Sequence, residues 1–180
     1  MIDELTSLEH IAALVSEALA RAGINAVLSG GAVVSIYSEN EFQSYDLDFI
    51  TSHAMKEVVA PLAALGYVRG KGRHFTHPRT PYLIEFPPGP LMVGDQRVTR
   101  SHERETSMGV IRLLTPTDAV KDRLSAFFYW SDRQSLAQAL AIARRQPVDL
   151  LDIERWALAE PMPAAERFGI FRNRLSEGSL

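Results

Sequence analysis

The six residues Tyr45-Asp46-Leu47-Asp48-Phe49-Ile50 constrain the fold more than any other part of the chain. Apolar and polar positions alternate with a period of two, which predicts a β-strand with one covered face. Tyr45, Leu47 and Phe49 would enter an apolar layer, while Asp46 and Asp48 would project together from the opposite face. Two carboxylates at successive same-face positions repel each other, and a cation between them removes that penalty. Hard oxygen ligands of this kind suit Mg²⁺ or Mn²⁺. A solvated face on an edge strand is the simpler alternative, and an Asp-x-Asp pair also occurs in glycosyltransferases.

The segment Leu28-Ser29-Gly30-Gly31-Ala32 lies upstream by a helix-length interval. Glycines that follow a strand and open a helix let backbone N–H groups approach a phosphate, and the helix N-terminus favours negative charge there. The Ser29 hydroxyl is placed to donate to a terminal phosphate oxygen. A Gly-Gly turn alone is only a turn; followed by Asp-x-Asp on the next strand, it reads as a triphosphate cradle facing its metal ligands.

The rest of the chain fills in an α+β plan. Leu8, Ile11, Val15, Leu19 and Ala22 recur at helical spacing, with Thr6 and Glu9 as a capping box and Gly23 as the terminating glycine. Residues 53–65 predict a helix interrupted or kinked at Pro61. Short strands are expected near residues 67–69, 73–76, 82–86, 97–105 and 110–114, and Pro87-Pro88-Gly89-Pro90 cannot continue a central strand. Thr115-Pro116-Thr117-Asp118 is a helix start, with an N-cap, proline at N1 and an acid in the first turn. About four helices follow, with breaks at Ser131, Gln146-Pro147 and Pro161–Pro163 and a second capping box at Ser131 and Gln134. The expected organisation is an α/β core over residues 1–114 and a helical region over 115–180 packed on it. Phe127, Phe128, Trp130 and Trp156 fall within helical periodicity and are expected in the core.

With 46% hydrophobic and 23% charged residues among 180, a sizeable core needs no staples. The absence of cysteine rules out disulfides and thiolate metal sites. The opening Met-Ile-Asp-Glu lacks a secretory pattern, and no apolar run has the length of a membrane span, so the expected location is cytoplasmic. The formal net charge of −3 divides into −7, +3 and +1 over successive sixty-residue thirds. An acidic first third beside a basic middle third suits a metal–polyphosphate site, or reflects solvated charge alone. No long basic run marks a nucleic-acid binder, although nucleic acid stays open as a partner. His74 and His77 share a strand at a spacing that puts them on opposite faces, which argues against a zinc site.

The order Ser-Gly-Gly, short helix, Asp-x-Asp over residues 28–50 resembles the DNA-polymerase-β-like nucleotidyltransferase superfamily, in particular its minimal and AbiEii-like bacterial branches, some of which are toxin–antitoxin components. The resemblance implies a mixed β-sheet flanked by helices and a C-terminal helical bundle. It implies an enzyme that moves a nucleoside monophosphate from an NTP to a hydroxyl of RNA, protein or a small molecule. Asp46 and Asp48 would be metal-holding catalytic residues. Superfamily members typically add a third carboxylate on a later strand, for which Glu85, in the apolar run Tyr82–Phe86, is the candidate and Asp95 a weaker one. Ser29, Gly30 and Gly31 would seat the nucleotide. Lys121 matches by position a lysine of the AbiEii-like branch and would assist, with Asp122 and Asp132 fitting later acids loosely. The fourteen residues between Gly31 and Asp46 are long for the family. A non-catalytic nucleotide-binding or antitoxin-like protein, with a partner encoded nearby, is the alternative.

Overall fold

The computed structural model describes residues 2–161 and 163–177, so Met162 in the expected break and residues 178–180 of the helical region lie outside the described residues. The chain runs α1 (Leu8–Arg21), β1 (Ala26–Ser29), α2 (Gly30–Tyr37), β2 (Asp46–Thr51) and α3 (Met55–Ala64). It continues through β3 (Val68–Arg69), β4 (His74–His77), β5 (Thr80–Glu85), β6 (Met92–Val93), β7 (Gln96–Arg97), β8 (His102–Thr106) and β9 (Gly109–Leu113). The last third is helical: α4 (Pro116–Trp130), α5 (Arg133–Arg145), α6 (Leu150–Ala159) and α7 (Ala164–Glu177).

Seven strands form one mixed sheet in the order β3-β4-β5-β2-β1-β9-β8, and β6 with β7 makes a separate hairpin. β2 is central, antiparallel to β1 and parallel to β5. Its apolar residues Leu47 and Phe49 are fully buried, as are their register partners Ile84 on β5 and Leu28 on β1. Helix α1 lies along β9, β1 and β8 and packs on α3. One continuous apolar cluster runs from this layer through α2 into α4–α7, so the helical region packs on the sheet-bearing part. Gln146, which ends α5, donates through Nε2 to the carbonyl of Tyr37 at the end of α2 (3.1 Å), and the buried Tyr37 hydroxyl donates to the carbonyl of Leu114 (2.7 Å). The chain is thus an α+β protein with a mixed sheet flanked by helices.

Several local expectations need correction. The first helix is capped by Ser7, whose hydroxyl accepts from His10 N–H; Thr6 instead binds Asp3. Asp132, rather than Ser131, caps α5, because Ser131 takes a left-handed conformation (φ 56°) that ends α4. Pro61 does not split α3, which runs unbroken through it, although its missing N–H removes one rung. The strand expected over 97–105 is broken into β7 and β8. Tyr45 is exposed and stacks on Tyr82 instead of entering the apolar layer. Trp130 is 82% exposed at the end of α4, whereas Phe127, Phe128 and Trp156 are buried. The terminal turn of an amphipathic helix can leave the covered face while keeping the period. The Gly23 terminator (φ 73°) and the Thr115 cap are present.

Candidate active site

The sheet register assembles one row of polar side chains on the face opposite the buried layer. Ser29 on β1 pairs with Asp48 on β2, Asp48 with Glu85 on β5, and Glu85 with His74 on β4. Residues paired in register share a face, so these four side chains point the same way, and Asp46 joins them two residues earlier on β2. Asp46 is exposed and Asp48 half-buried.

Gly30 begins α2 directly above this row. Its φ of 68° is left-handed, and a Cβ there would overlap the Asp48 carboxylate oxygen Oδ2. A Cβ on Gly31 would lie 2.9 Å from Ser44 Oγ. Both glycines are therefore there because the backbone passes against other groups, and at Gly30 that group is the candidate acid itself. The N-cap residue Ser29 makes no side-chain cap hydrogen bond to α2, and the first turn of α2 carries no acid of its own. Ser29 Oγ makes a long contact to the carbonyl of Asp48 (3.3 Å).

Asp48 carries the electrostatic mark of the site. Burial pushes its carboxyl up to about 6, and the negative charges of Glu85 and Asp46 push in the same direction; Arg123 opposes them and Asp122 adds to them. Positive charge offsets these influences only in part. Arg123 and Asp122, on α4, line a cavity of about 320 Å³ with Ser29, Gly30 and Asp48, roofed by Pro87, Pro90, Leu91 and Met92. The Arg123 guanidinium is itself held by Asp122. Glu85 is taken up on its other side by His74, with Nδ1 to Oε1 at 2.6 Å.

The donor set suits a hard divalent ion, since Mg²⁺ is usually held by one or two carboxylates and substrate phosphates. Among the described residues no group of three His, Cys, Asp or Glu side chains is arranged to hold a metal. The three expected carboxylates are present as the Asp46/Asp48 pair with Glu85 beside it, turned to His74.

The structure brings Ser29, Gly30 and Asp48 into one cavity, with Gly31, Asp46 and Glu85 adjoining. It does not bring Lys121 there. That residue is 5% exposed, its Nζ lies 2.6 Å from Asp152 Oδ2, and it lines a different cavity, of about 570 Å³. Arg123 is the cation at the site, and sequence reading passed over it. The signal was available in the helical phase. Leu124 and Phe128, three and seven residues after Lys121, put Lys121 in the buried stripe of α4, while Arg123 lies about 200° around the helix from it. His77 contacts the Tyr67 ring (centroids 5.1 Å apart), away from His74, as the spacing of the two predicted.

No protein-family model matches the chain, and no curated protein sequence matches it. Solved structures do. An antigenic nucleotidyltransferase-like protein from Paracoccidioides brasiliensis superposes with a TM-score of 0.54 at 11% identity, over 98% of this chain and 90% of that one. The antibiotic-resistance factor ANT(2'')-Ia gives 0.49 at 13% identity, over 94% of this chain and 95% of that one. The same factor in complex with adenylyl-2"-tobramycin gives 0.47 at 13% identity, over 93% of this chain and 97% of that one. The first likeness, spanning nearly the whole chain, shows that the fold is nucleotidyltransferase-like. Among the described residues no helix is long and apolar enough to cross a membrane.

Proposed function

We propose that this chain transfers a nucleoside monophosphate from an NTP to a hydroxyl acceptor, with Asp46 and Asp48 holding Mg²⁺ or Mn²⁺. The observation that carries the reading is the contact of the Asp48 carboxylate with Gly30, which sets an acid lacking a full counter-charge against the uncapped start of a helix. A divalent ion bound there would neutralise charge on the triphosphate and on the departing pyrophosphate. Ser29 and the Gly30 and Gly31 N–H groups would seat the phosphates, with Arg123 facing them from α4. The acceptor oxygen attacks the α-phosphorus, forming one P–O bond. The bond from that phosphorus to the α,β-bridging oxygen breaks, and pyrophosphate leaves with the electron pair. The hydroxyl proton passes to Glu85, which His74 orients through Nδ1.

Combined Asp46→Asn and Asp48→Asn should abolish Mn²⁺-dependent NTP binding by calorimetry while circular dichroism stays unchanged. Binding of undiminished strength in the double variant overturns the assignment.

The finer likeness to the AbiEii-like, toxin-associated branch draws on Lys121, whose charge is already met by Asp152; the site supports nucleotidyl transfer in general more than that branch. A second reading has its own observation. Glu85 is bound to His74 rather than free beside Asp48, as suits a module, in partnership with another protein, that binds nucleotide without transferring it. Incubation with α-labelled NTP and cell extract separates the two: label appearing in RNA, protein or a small molecule supports transfer, and binding without transfer supports the module.

A further inference from the structure

The cavity beside Asp48 does not end at Asp48. Two residues along β2, about 7 Å away, Ile50 lines both that cavity and a second one of about 600 Å³, and Pro90 and Leu91 are likewise shared. Val27, the register partner of Ile50, continues the same face of the sheet as the floor. The second cavity is therefore one register row from the candidate acids, and its volume is that of a small-molecule site.

Its charge differs from that of the acid row. Arg73, Arg97 and His53 line it, His53 being paired with Glu57 (3.4 Å), and among the described residues no aspartate or glutamate lines it. Arg73 spends one nitrogen on the carbonyl of Phe86 (3.1 Å), which anchors its guanidinium at the rim and leaves its other donors. Arg97, on the β6–β7 hairpin, lines this cavity and also the one that holds Lys121. Val27, Ile50, Leu91 and Val98 supply apolar walls. Two arginines with no lining carboxylate repel cations and match the geometry of phosphate or carboxylate. The acids of the neighbouring row would repel an anion, so such a ligand is held with its charged group at the arginine end and its uncharged end toward Asp48.

We infer that the acceptor is a small hydroxyl compound bearing a phosphate or carboxylate, bound in this second cavity with its anionic group on Arg73 and Arg97 and its hydroxyl toward Asp48. This rests on the transfer reading given above, and names the acceptor class for that site.

The test uses four three-carbon probes that differ in charge: glycerol 3-phosphate, glycerate, glycerol and 2-amino-1,3-propanediol. Each is titrated into the ¹⁵N-labelled full chain, with and without Mg²⁺ and a non-hydrolysable ATP analogue, and followed through amide shifts of Val27, Ile50, Leu91 and Arg97. The two anions should shift these signals and the neutral and cationic probes should not. Stronger binding by glycerol 3-phosphate assigns phosphate, and stronger binding by glycerate assigns carboxylate. Arg73→Gln with Arg97→Gln should weaken the anions about tenfold or more, with affinity for the ATP analogue held. Equal binding of glycerol, absence of anion shifts at these residues, or displacement of the anions by the ATP analogue overturns the inference. If the analogue binds in an Asp48-dependent way while the anions do not bind, the transfer reading stands and the acceptor class falls. If the anions bind this cavity while the analogue fails to bind at all, the transfer reading falls instead, and with it the assignment of the anion as an acceptor.

Discussion

Two acids in this molecule sit close to helix α4 and meet opposite electrostatic circumstances. Asp152, on α6, accepts from the buried Lys121 at 2.6 Å, with Arg155 at 3.5 Å on its other oxygen. Asp48, on β2, has Glu85 and Asp46 as close neighbours, with an arginine that is itself neutralised by Asp122. The first arrangement is complete as it stands and belongs to the packing of α4 against α6. The second is incomplete, and the backbone around it is shaped to keep it so: a left-handed glycine gives up its side chain so that the carboxylate can approach a helix start. Charge already balanced by the fold is structural. Charge the fold leaves unbalanced, where a ligand can reach it, marks the site.

Gly30→Ala tests this contrast with the largest expected effect. The variant meets a left-handed backbone penalty and overlap with Asp48 Oδ2 together, and should lose about 3 kcal/mol in chemical denaturation. With Asp48→Ala added, the overlap disappears and the penalty for Gly30→Ala should fall to about 1 kcal/mol. An equal penalty in both backgrounds would mean that Asp48 does not require the glycine.

The paired charge should behave differently. Asp152→Asn leaves the Lys121 ammonium buried without its partner and should destabilise by about 2 kcal/mol, reduced from the fully buried case because Asp152 is partly exposed. Lys121→Met removes the buried charge and keeps the volume, leaving Asp152 with Arg155, and should shift stability by less than about 1 kcal/mol. Urea unfolding curves compare the two. A larger loss for Lys121→Met than for Asp152→Asn would reverse the assignment of which partner depends on the other.

The Asp48 side of this contrast is legible in the sequence, and the Asp152 side is not. Strand β2, its two same-face acids, the glycine turn and the Thr115 helix start are local patterns, and local patterns survive because side-chain period and capping chemistry are set by the backbone. The approach of Gly30 to Asp48 was legible only as a pairing of motifs, since nothing in the intervening residues fixes how β1 and β2 align. The row from Ser29 to His74 depends on register between four strands, two of them distant in sequence, and register is a tertiary property. Arg123 was missed for a related reason: Lys121 matches by position a lysine of the branch the sequence resembles, while the apolar stripe of Leu124 and Phe128 puts it on the packed side of α4. Trp130 keeps helical spacing yet is exposed, because period reports a face and not whether anything covers its last turn.

Asp48→Asn gives a small effect, and its sign is the most informative. A carboxyl whose pKa is raised from 3.8 to about 6 on folding binds its proton more tightly in the folded state. The stability this contributes is fully present below 3.8 and is lost as pH rises through 6. Replacing the acid with a neutral amide removes the loss. In metal-free buffer with EDTA, Asp48→Asn should therefore be more stable than the parent at pH 7.5 by about 1 kcal/mol, a figure reduced for solvent screening of a half-exposed group. At pH 4.5 most of that gain should be gone. Thermal unfolding at the two pH values measures it. Adding Mg²⁺ and a non-hydrolysable NTP at pH 7.5 should invert the order, because the bound ion stabilises only the chain that keeps the carboxylate. A variant that is less stable than the parent at pH 7.5 without metal would mean that Asp48 is already satisfied by its surroundings, in the manner of Asp152, and the contrast between the two acids would be lost.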